Sequence, residues 1–198
     1  MNSFIELMRE RRSVYNLGNN IKKSKEELNA LVLRAVELSP SSFNSQSSRV
    51  VILWGNHSHK LWDIAKDELK VLISEEAFKS TSEKLDSFAR GSGTILFFED
   101  SRVIDKLQEQ FPSYADNFPL WSEQSSGMAQ FAVWAALTEA GLGASLQHYN
   151  PLIDEKTRET FNISSDWKLK AQMPFGSIED LPSAKDFMPH SERFIIFE

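Results

Sequence analysis

The chain contains no cysteine among its 198 residues. Disulfide frameworks, thiolate nucleophiles and cysteine-ligated zinc or iron–sulfur sites are therefore excluded. The chain also lacks any apolar run close to the roughly 18 residues that a membrane-spanning helix needs. Its first residues, MNSFIELMRERRS, contain no apolar signal core. These absences predict a cytoplasmic protein without a membrane segment.

Basic charge is also scarce. The 22 Lys and Arg residues are outnumbered by 28 Asp and Glu, which gives a net charge of −6 and a pI of about 5.3. Nucleic acid is not an expected partner, because neutralising its phosphates needs a basic face. Aromatic side chains are plentiful, with 14 Phe and 5 Trp, enough to pack a core or a planar ligand. The length fits one domain over residues 1–198.

Several familiar catalytic motifs begin in this sequence but are not completed. The GxG stretches at 91–93 and 141–143 lack the third glycine of a dinucleotide fingerprint, and the sequence contains no Walker A motif. Residues 143–147, GASLQ, end in glutamine where a nucleophile elbow needs glycine. A serine hydrolase that uses Ser145 and His148 stays open as an alternative.

His57 and His59 flank a serine at a predicted helix start, which is more typical of a solvated helix end than of a metal site, so no metal is expected.

Hydrophobic periodicity predicts helices mixed with about five short strands, and hence an α/β or α+β fold. Ser24 and Glu27 form a capping-box pattern, and the run RVVILWG is typical of a strand buried on both faces. A long helix that is apolar nearly all round should lie in the middle of the fold, and Gly141 should end it. The predicted helices cover 3–12, 24–38, 58–73, a polar stretch on to 90, 101–111, 122–140 and 154–161, and the predicted strands cover 49–55, 93–99, 144–149, 168–175 and 193–198.

Two stretches depart from the regular pattern of predicted helices and strands. The predicted strand at the C-terminus is so apolar that it must pair, either within its own sheet or with a partner chain. FPLW, at 118–121, interrupts the helical pattern just before the long apolar helix.

Two short stretches carry more hydrogen-bonding groups than ordinary loops need. Residues 39–48, SPSSFNSQSS, crowd hydroxyls and amides in front of a predicted buried strand, whereas a connecting loop needs only one or two turn residues. Arg11, Arg12 and Ser13 close the first predicted helix, and two guanidiniums with a hydroxyl suit a phosphate. Taken alone, this arginine pair is explained more simply as solvated basic residues that complement the dipole of a helix C-terminus.

Taken together, the two stretches resemble those of the nitroreductase family of FMN-dependent oxidoreductases. Arg11, Arg12 and Ser13 match the family's RRS stretch, and residues 40–46 match its PSS-x-N-S-Q stretch. The long apolar helix, the GLGA turn at 141–144 and the PFG sequence at 174–176 resemble later landmarks of the family. The resemblance therefore covers essentially the whole chain.

The chain departs from the common family pattern at three places. Tyr15 stands where many members carry a basic residue, Ser47 and Ser48 replace the usual Pro-Trp, and the C-terminal part lacks the usual Lys-x-Arg. Together with the short length, these departures resemble the small branch formed by the fatty-acid-repression-mutant-like and copper-induced nitroreductases.

The resemblance implies an α+β homodimer with a central mixed or antiparallel sheet, flanking helices and FMN at the subunit interface. One chain would hold the FMN phosphate and ring edge through its RRS stretch, and the other would reach the isoalloxazine and ribityl chain with its PSS stretch. Residues 147–149 would lie along the flavin with a backbone N–H near N5. The implied cofactor-binding residues are Arg11, Arg12, Ser13, Tyr15, Pro40, Ser41, Ser42, Asn44, Gln46, Lys70, Gln147, His148, Tyr149, Lys185 and Arg193.

The implied activity is the reduction of nitroaromatics or quinones by NAD(P)H. It would follow a ping-pong cycle in which hydride passes through flavin N5, so no catalytic side chain is required. Phe118 and Trp121 are predicted to wall the slot for the flat oxidant, although packing in a core or an interface explains them equally well. Two alternatives are a non-catalytic flavin-binding protein that regulates redox or lipid-stress responses, and an interaction module without a cofactor.

Overall fold

A computed structural model describes residues 3–198, in which helices surround a five-stranded antiparallel sheet. β5 lies at the centre and pairs with β1, β3 and β4, whereas β2 pairs with the far side of β3. This arrangement confirms the predicted α+β class. The strands are β1 (Leu17–Gly18), β2 (Ser48–Trp54), β3 (Gly93–Asp100), β4 (Gly143–Ala144) and β5 (Trp167–Ile178).

The two faces of the sheet are covered by separate hydrophobic clusters. β3 is buried along its whole length, because it has a strand on each side and a cluster on each face. Ile95 and Phe97 enter one cluster, while Leu96 and Phe98 enter the other, as the two-residue period of a strand requires. β2 was predicted to be buried on both faces, but only its Leu53 is buried. The reason is that β2 is an edge strand within residues 3–198.

The helices follow the predicted order with shifted ends. The capping box at the start of α2 is confirmed, since Ser24 Oγ accepts from Glu27 N at 3.2 Å and the Glu27 carboxylate accepts from Ser24 N at 2.7 Å. The helices are α1 (Phe4–Glu10), α2 (Lys25–Leu38), α3 (Asn56–Lys70), α4 (Glu75–Ala89), α5 (Ser101–Gln110), α6 (Phe118–Glu139), α7 (Asp154–Phe161) and the short α8 (His190–Arg193).

α6 is the long central helix that the apolar pattern predicts. It starts at Phe118, so FPLW opens the helix and does not interrupt it. Pro119 lies in the first turn, where its missing N–H removes no intrahelical hydrogen bond. Gly141, at φ 78°, adopts the left-handed conformation just beyond the end of α6, and the predicted glycine stop is confirmed. Val133 and Leu137 of α6 pack in the same cluster as α2 and β3.

The predicted strand at 193–198 is wrong for the single chain. Residues 194–198 follow α8 without regular structure, and Ile195 and Phe197 are 83% and 92% exposed. Apolar β-branched residues favour a strand, but a strand forms only where another edge pairs with its backbone. The predicted strand at 144–149 shortens to β4 and one isolated bridge between Gln147 and Gln172. None of the helices within residues 3–198 is long and apolar enough to cross a membrane.

Candidate functional site

A cavity of about 540 Å³ lies beside the N-terminal arginine pair. Five of the sequence-predicted site residues line it: Arg11, Arg12, Ser13, Tyr15 and Lys185. The remaining lining residues are Val14, Asn16, Asp180, Leu181, Pro182 and Ser183. Residues more than 160 positions apart in the chain therefore meet at one site, which we call the arginine cavity.

Backbone pairing fixes the N-terminal wall of the arginine cavity. α1 ends at Glu10, and Arg11 follows in extended conformation. Ser13 forms an isolated parallel bridge with Ala144, and Val14 N donates to Ala144 O at 2.9 Å. The RRS stretch is thus bound to β4, so it lies next to the chain that continues to Gln147.

Arg11 is held in an unusual environment for a cation. Its guanidinium carbon lies 4.3 Å from the ring centroid of Trp134, a cation–π contact. Its Nε is buried and has no hydrogen-bond partner. Burial first, and then the neighbouring Arg12, lower the pKa of Arg11. The ion pairs formed among residues 3–198 include neither arginine, so the arginine cavity has positive charge to offer an anion.

The opposite wall of the arginine cavity is the start of the C-terminal tail, which we define as residues 179–198. Arg12 Nη2 donates to Ser183 O, and Asn16 Nδ2 donates to Asp180 Oδ2, both at 2.8 Å. Of the two C-terminal cations predicted for a phosphate, Lys185 lines the cavity, whereas Arg193 is exposed in α8 beside Phe194.

The predicted Lys70 does not join the arginine cavity either. It is the exposed last residue of α3 and is not among the residues that line the cavity. Tyr15, which does line it, is 51% exposed, and its ring lies 6.3 Å from that of Phe88.

Residues 39–48, which we call the serine loop, fold into a strained turn. Ser42–Asn44 form a 3-10 turn, and Phe43, Asn44 and Gln46 have positive φ values of 57°, 50° and 48°. Gln46 N donates to Ser41 Oγ at 3.0 Å, and Ser42 N donates to Ser125 Oγ of α6 at 3.4 Å. Positive φ is rare for residues other than glycine, so surrounding contacts must hold this conformation.

The serine loop lines a second cavity, of about 230 Å³, together with the C-terminal end of α2 and the middle of α6. Pro40, Ser41 and Gln46 are among its lining residues, and Asn44 lines a further cavity against α5. The second cavity and the arginine cavity share no residue. Within one chain, the two stretches that carry the family resemblance therefore lie at different places.

An aromatic cluster anchors the tip of the serine loop. The Phe43 ring lies 5.0 to 6.0 Å from four other rings and is stacked on Trp121 at an interplanar angle of 19°. Phe118 is only 2% exposed, so in this chain its surface is taken up by packing. Trp121 is partly exposed and is still accessible from outside. The other two rings of the cluster are Phe111 and Tyr114.

The predicted flavin-lining segment 147–149 is fixed by a residue that the sequence did not single out. Gln172 of β5 is fully buried; its Oε1 accepts from Tyr149 N at 2.8 Å, and its backbone exchanges hydrogen bonds with Gln147 in both directions. His148 between them is exposed, and burial raises the pKa of Tyr149. An amide in the otherwise apolar end of a buried strand was the signal that could have identified Gln172.

Ser145 and His148 do not have the geometry that a serine hydrolase needs. Ser145 is fully buried, and its Oγ accepts from Gln147 Nε2 at 3.1 Å. His148 is exposed, so the nucleophile and base are not paired. In the part of the chain that the structure describes, no group of three His, Asp or Glu side chains is placed to hold a metal ion.

Comparison with known proteins identifies the group to which this architecture belongs. The model of the Nitroreductase family matches residues 8–177, a range that contains the RRS stretch, the serine loop and Gln172. The chain belongs to the nitroreductase family. Nitroreductases are oxidoreductases, and the resemblance seen in the sequence is confirmed.

Individual nitroreductases match over nearly the whole chain. The Saccharomyces cerevisiae protein HBN1, named as a nitroreductase, is 32% identical over 94% of this chain and 93% of its own. Nitroreductase CinD from Lactococcus lactis, solved with nicotinic acid, is 49% identical with a TM-score of 0.92, covering 99% of this chain and 100% of CinD. CinD solved with 4-nitrophenol is 48% identical to this chain with a TM-score of 0.90, again covering 99% of this chain and 100% of CinD. An FMN complex from Exiguobacterium sibiricum shares the fold at 17% identity and a TM-score of 0.75, over 100% of this chain and 98% of its own.

Proposed function

We propose that this nitroreductase-family chain is an FMN-dependent enzyme that uses NAD(P)H to reduce nitroaromatics or quinones in a ping-pong cycle. The observation that carries the proposal is the arginine cavity. Two guanidiniums, a hydroxyl and Lys185 meet there without a carboxylate salt bridge among the described residues, and the buried Nε of Arg11 lacks an acceptor.

The residues of the arginine cavity fit the phosphate end of FMN. Arginine side chains suit phosphate, because their planar forks donate several charge-assisted hydrogen bonds. One carboxylate, that of Asp180, also lines the cavity and opposes an anion. It is already bound to Asn16, and three cations, Arg11, Arg12 and Lys185, outnumber it.

The residues at and beside the arginine cavity then have definite tasks. Arg11, Arg12 and Ser13 would bind the phosphate and ring edge, with Tyr15 and Lys185 at the rim. Gln172 accepts from the backbone N–H groups of Gln147 and Tyr149, so the backbone N–H of His148 between them would be the one presented to the flavin. FMN, when bound, supplies the chemistry of accepting a hydride and passing it on. No acid or base on the protein is assigned to the reaction.

We propose that the serine loop completes the same site in the partner of a homodimer. Its cavity shares no residue with the arginine cavity, so one chain alone does not unite the two stretches. An apolar groove of about 780 Å³ opens between α1, α2 and α6 next to Pro40. Phe4 and Leu38 in this groove are 62% and 64% exposed. Apolar surface of this kind is typical of an interface between subunits.

The C-terminal tail supplies a second argument for a homodimer. Phe194, Ile195, Ile196 and Phe197 are all more than half exposed. β2 has a free long edge within residues 3–198, and an apolar segment of strand-forming residues is the natural occupant of a free edge. We therefore expect residues 193–198 to pair with the partner chain, the second of the two alternatives that the sequence leaves open.

The proposed oxidant is a small planar molecule. CinD, 49% identical to this chain, has been solved with 4-nitrophenol and with chloramphenicol, both of which carry a nitrophenyl group. In this chain, Trp121 and the half-exposed ring of Phe43 offer a flat apolar face beside the serine loop.

Steady-state oxidation of NAD(P)H by the FMN-loaded protein, with a quinone or a nitroaromatic as oxidant, tests the proposal. We expect turnover and parallel double-reciprocal lines, the signature of a ping-pong cycle. A yellow protein without turnover would overturn the enzymatic proposal and favour a flavin-binding regulator. A protein that is colourless and fails to bind added FMN would overturn the cofactor. Ser145→Ala is expected to keep full activity.

A further inference from the structure

Glu99 is a buried carboxyl group to which the proposed reaction gives no task. It lies near the end of β3 and is only 1% exposed. Its Oε2 accepts from Ser47 Oγ and its Oε1 from Ser48 Oγ, each at 2.5 Å. Both oxygens of one carboxylate are therefore used by the two hydroxyls at the end of the serine loop.

The charges around Glu99 do not neutralise it directly. The cation that acts on Glu99 is Lys170, but its Nζ forms an ion pair with Glu123 of α6. Burying a carboxyl group without a cation is costly unless hydrogen bonds satisfy it. The two serine hydroxyls provide those bonds, so the carboxyl group and the end of the loop depend on each other.

The same contacts extend along the serine loop. Ser48 is the direct register partner of Glu99 across β2 and β3. Ser47 O accepts from Asp100 N at 3.0 Å, and its Oγ lies 3.5 Å from Ser45 Oγ. Arg49 Nη1 donates to Gln46 O at 2.7 Å. These contacts hold the end of a loop in which three residues have positive φ.

We propose that Glu99 is a positioning residue: its carboxylate fixes Ser47 and Ser48 and thereby keeps the serine loop in the strained conformation that binds the flavin. The binding role of the loop rests on the proposed function.

Hydrogen exchange of the flavin-free protein tests the positioning directly, with Glu99→Gln as the variant. An amide oxygen can accept from one hydroxyl, but the NH2 group that replaces the second carboxylate oxygen donates, so one of the two serine hydroxyls loses its acceptor. We expect backbone amides of residues 42–47 to exchange about ten-fold faster, the size of effect that loss of one hydrogen bond to a charged group produces. Amides in the middle of β3 should keep their protection.

The affinity for FMN, measured by titration of flavin fluorescence, is the second readout. We expect Glu99→Gln to weaken it by about ten-fold. Ser47→Ala and Ser48→Ala each remove one hydroxyl and should give smaller changes in the same direction. Glu68→Gln is the matched control, since that carboxylate of α3 pairs with Lys156 and is not among the charged groups that act on Glu99.

The outcomes separate the two proposals. Unchanged exchange in Glu99→Gln would overturn the positioning by Glu99. Faster exchange with unchanged FMN affinity would overturn the claim that the conformation held by Glu99 is the one that binds the flavin. If the wild-type protein binds no FMN, the proposed function fails, while the exchange comparison still decides whether Glu99 holds the loop.

Discussion

The serine loop and the C-terminal tail are both irregular in backbone, yet they are fixed to the molecule in different ways. The loop is tied by side chains from β3, α6 and the aromatic cluster, all within one chain. Among the described residues, the tail's hydrogen bonds to the rest of the chain lie at its start and involve Arg12, Asn16 and Ser177. Beyond Ser183, its described hydrogen bonds and ring contacts join tail residues to one another.

The serine loop and the C-terminal tail therefore differ in what can stabilise them. A strained polar loop can be stable in a single chain when buried partners satisfy its hydroxyls and amides. An exposed apolar tail has no comparable partner, since Leu181, Phe187 and Ile196 are 72% to 84% exposed. The serine loop is folded within the single chain, whereas in our proposal the C-terminal tail forms regular structure by pairing with a second chain.

Removing the second half of the tail is the strongest test of this contrast. Deletion of residues 187–198 keeps Lys185 and the contacts of Arg12 and Asn16 but removes the exposed apolar residues that follow. We expect the dimer dissociation constant to rise by at least about 1,000-fold, because burying each large apolar side chain contributes about 1.5–3 kcal/mol. Sedimentation velocity over a range of protein concentrations measures this.

The control for the deletion is the double variant Val71→Asn, Leu72→Asn. These residues are 79% and 63% exposed at the turn after α3 and are not among the residues that line the apolar groove. They should leave the association state unchanged. A truncated protein that stays dimeric at nanomolar concentration would remove the tail from the interface.

Arg11→Ala should have the next largest effect, on cofactor affinity. It removes a charge-assisted contact worth about 1.5–3 kcal/mol, so the dissociation constant for FMN should rise about 10- to 100-fold. Arg9→Ala, which removes a cation on the exposed face of α1, is the control. Full flavin occupancy after dilution, in both Arg11→Ala and Arg12→Ala, would show that the arginine cavity is not the phosphate site.

Mixed dimers then test whether the loop and the arginine cavity serve one site. A dimer of one Arg11→Ala chain and one Ser41→Ala chain carries both changes at one shared site and leaves the other unaltered. We expect half of the flavin to be retained with normal affinity. Two weakened sites, one carrying Arg11→Ala and the other Ser41→Ala, would mean that each chain builds its site alone.

Replacing Phe43 tests the strain in the loop, with a smaller effect on stability. Phe43→Ala and Phe43→Gly both remove the aromatic ring, but only glycine adopts φ 57° without strain. We expect Phe43→Gly to be more stable than Phe43→Ala by about 0.5–1 kcal/mol, the reverse of the usual order. Urea unfolding measures the difference, and the usual order would show that the loop relaxes when the ring is lost.

The smallest predicted effect is the pH dependence of stability that comes from Glu99. Burial raises its pKa above the usual 4.5, the hydroxyls of Ser47 and Ser48 oppose part of that rise, and Glu123 and Lys170 act weakly in opposite directions. The raised pKa means that the contribution of Glu99 to stability is fully present below the unfolded value and is lost as pH rises through the folded value. Wild-type stability relative to Glu99→Gln should therefore fall as pH rises from about 4, measured by urea unfolding.

Local patterns in the sequence were sufficient for most helices and strands. The capping box at Ser24 and the apolar run of β3 depend on residues close together in the chain, so their elements could be predicted. The start of α6 was predicted four residues late, at 122 and not at Phe118. A proline near a helix start is compatible with either a break or a first turn, and only packing distinguishes them.

The candidate site was predicted less completely. The RRS stretch and the serine loop stood out because each concentrates polar groups within a few residues. Gln172 and Glu99 did not, because their partners are 23 and about 50 positions away. Lys70 and Arg193 were predicted for the site, but their positions lie outside the arginine cavity.

The sequence by itself determined most of the segments that become helix or strand and the two polar stretches proposed for cofactor binding, since periodicity, capping and residue type act over a few residues. The tertiary structure alone decided that Arg11 and Lys185 share a cavity and that the serine loop lies elsewhere. It also decided that the hydroxyls of Ser47 and Ser48 donate to Glu99, and that residues 194–198 do not pair with a strand of their own chain. Such outcomes depend on which distant segments pair and pack, and a local pattern does not specify its distant partner.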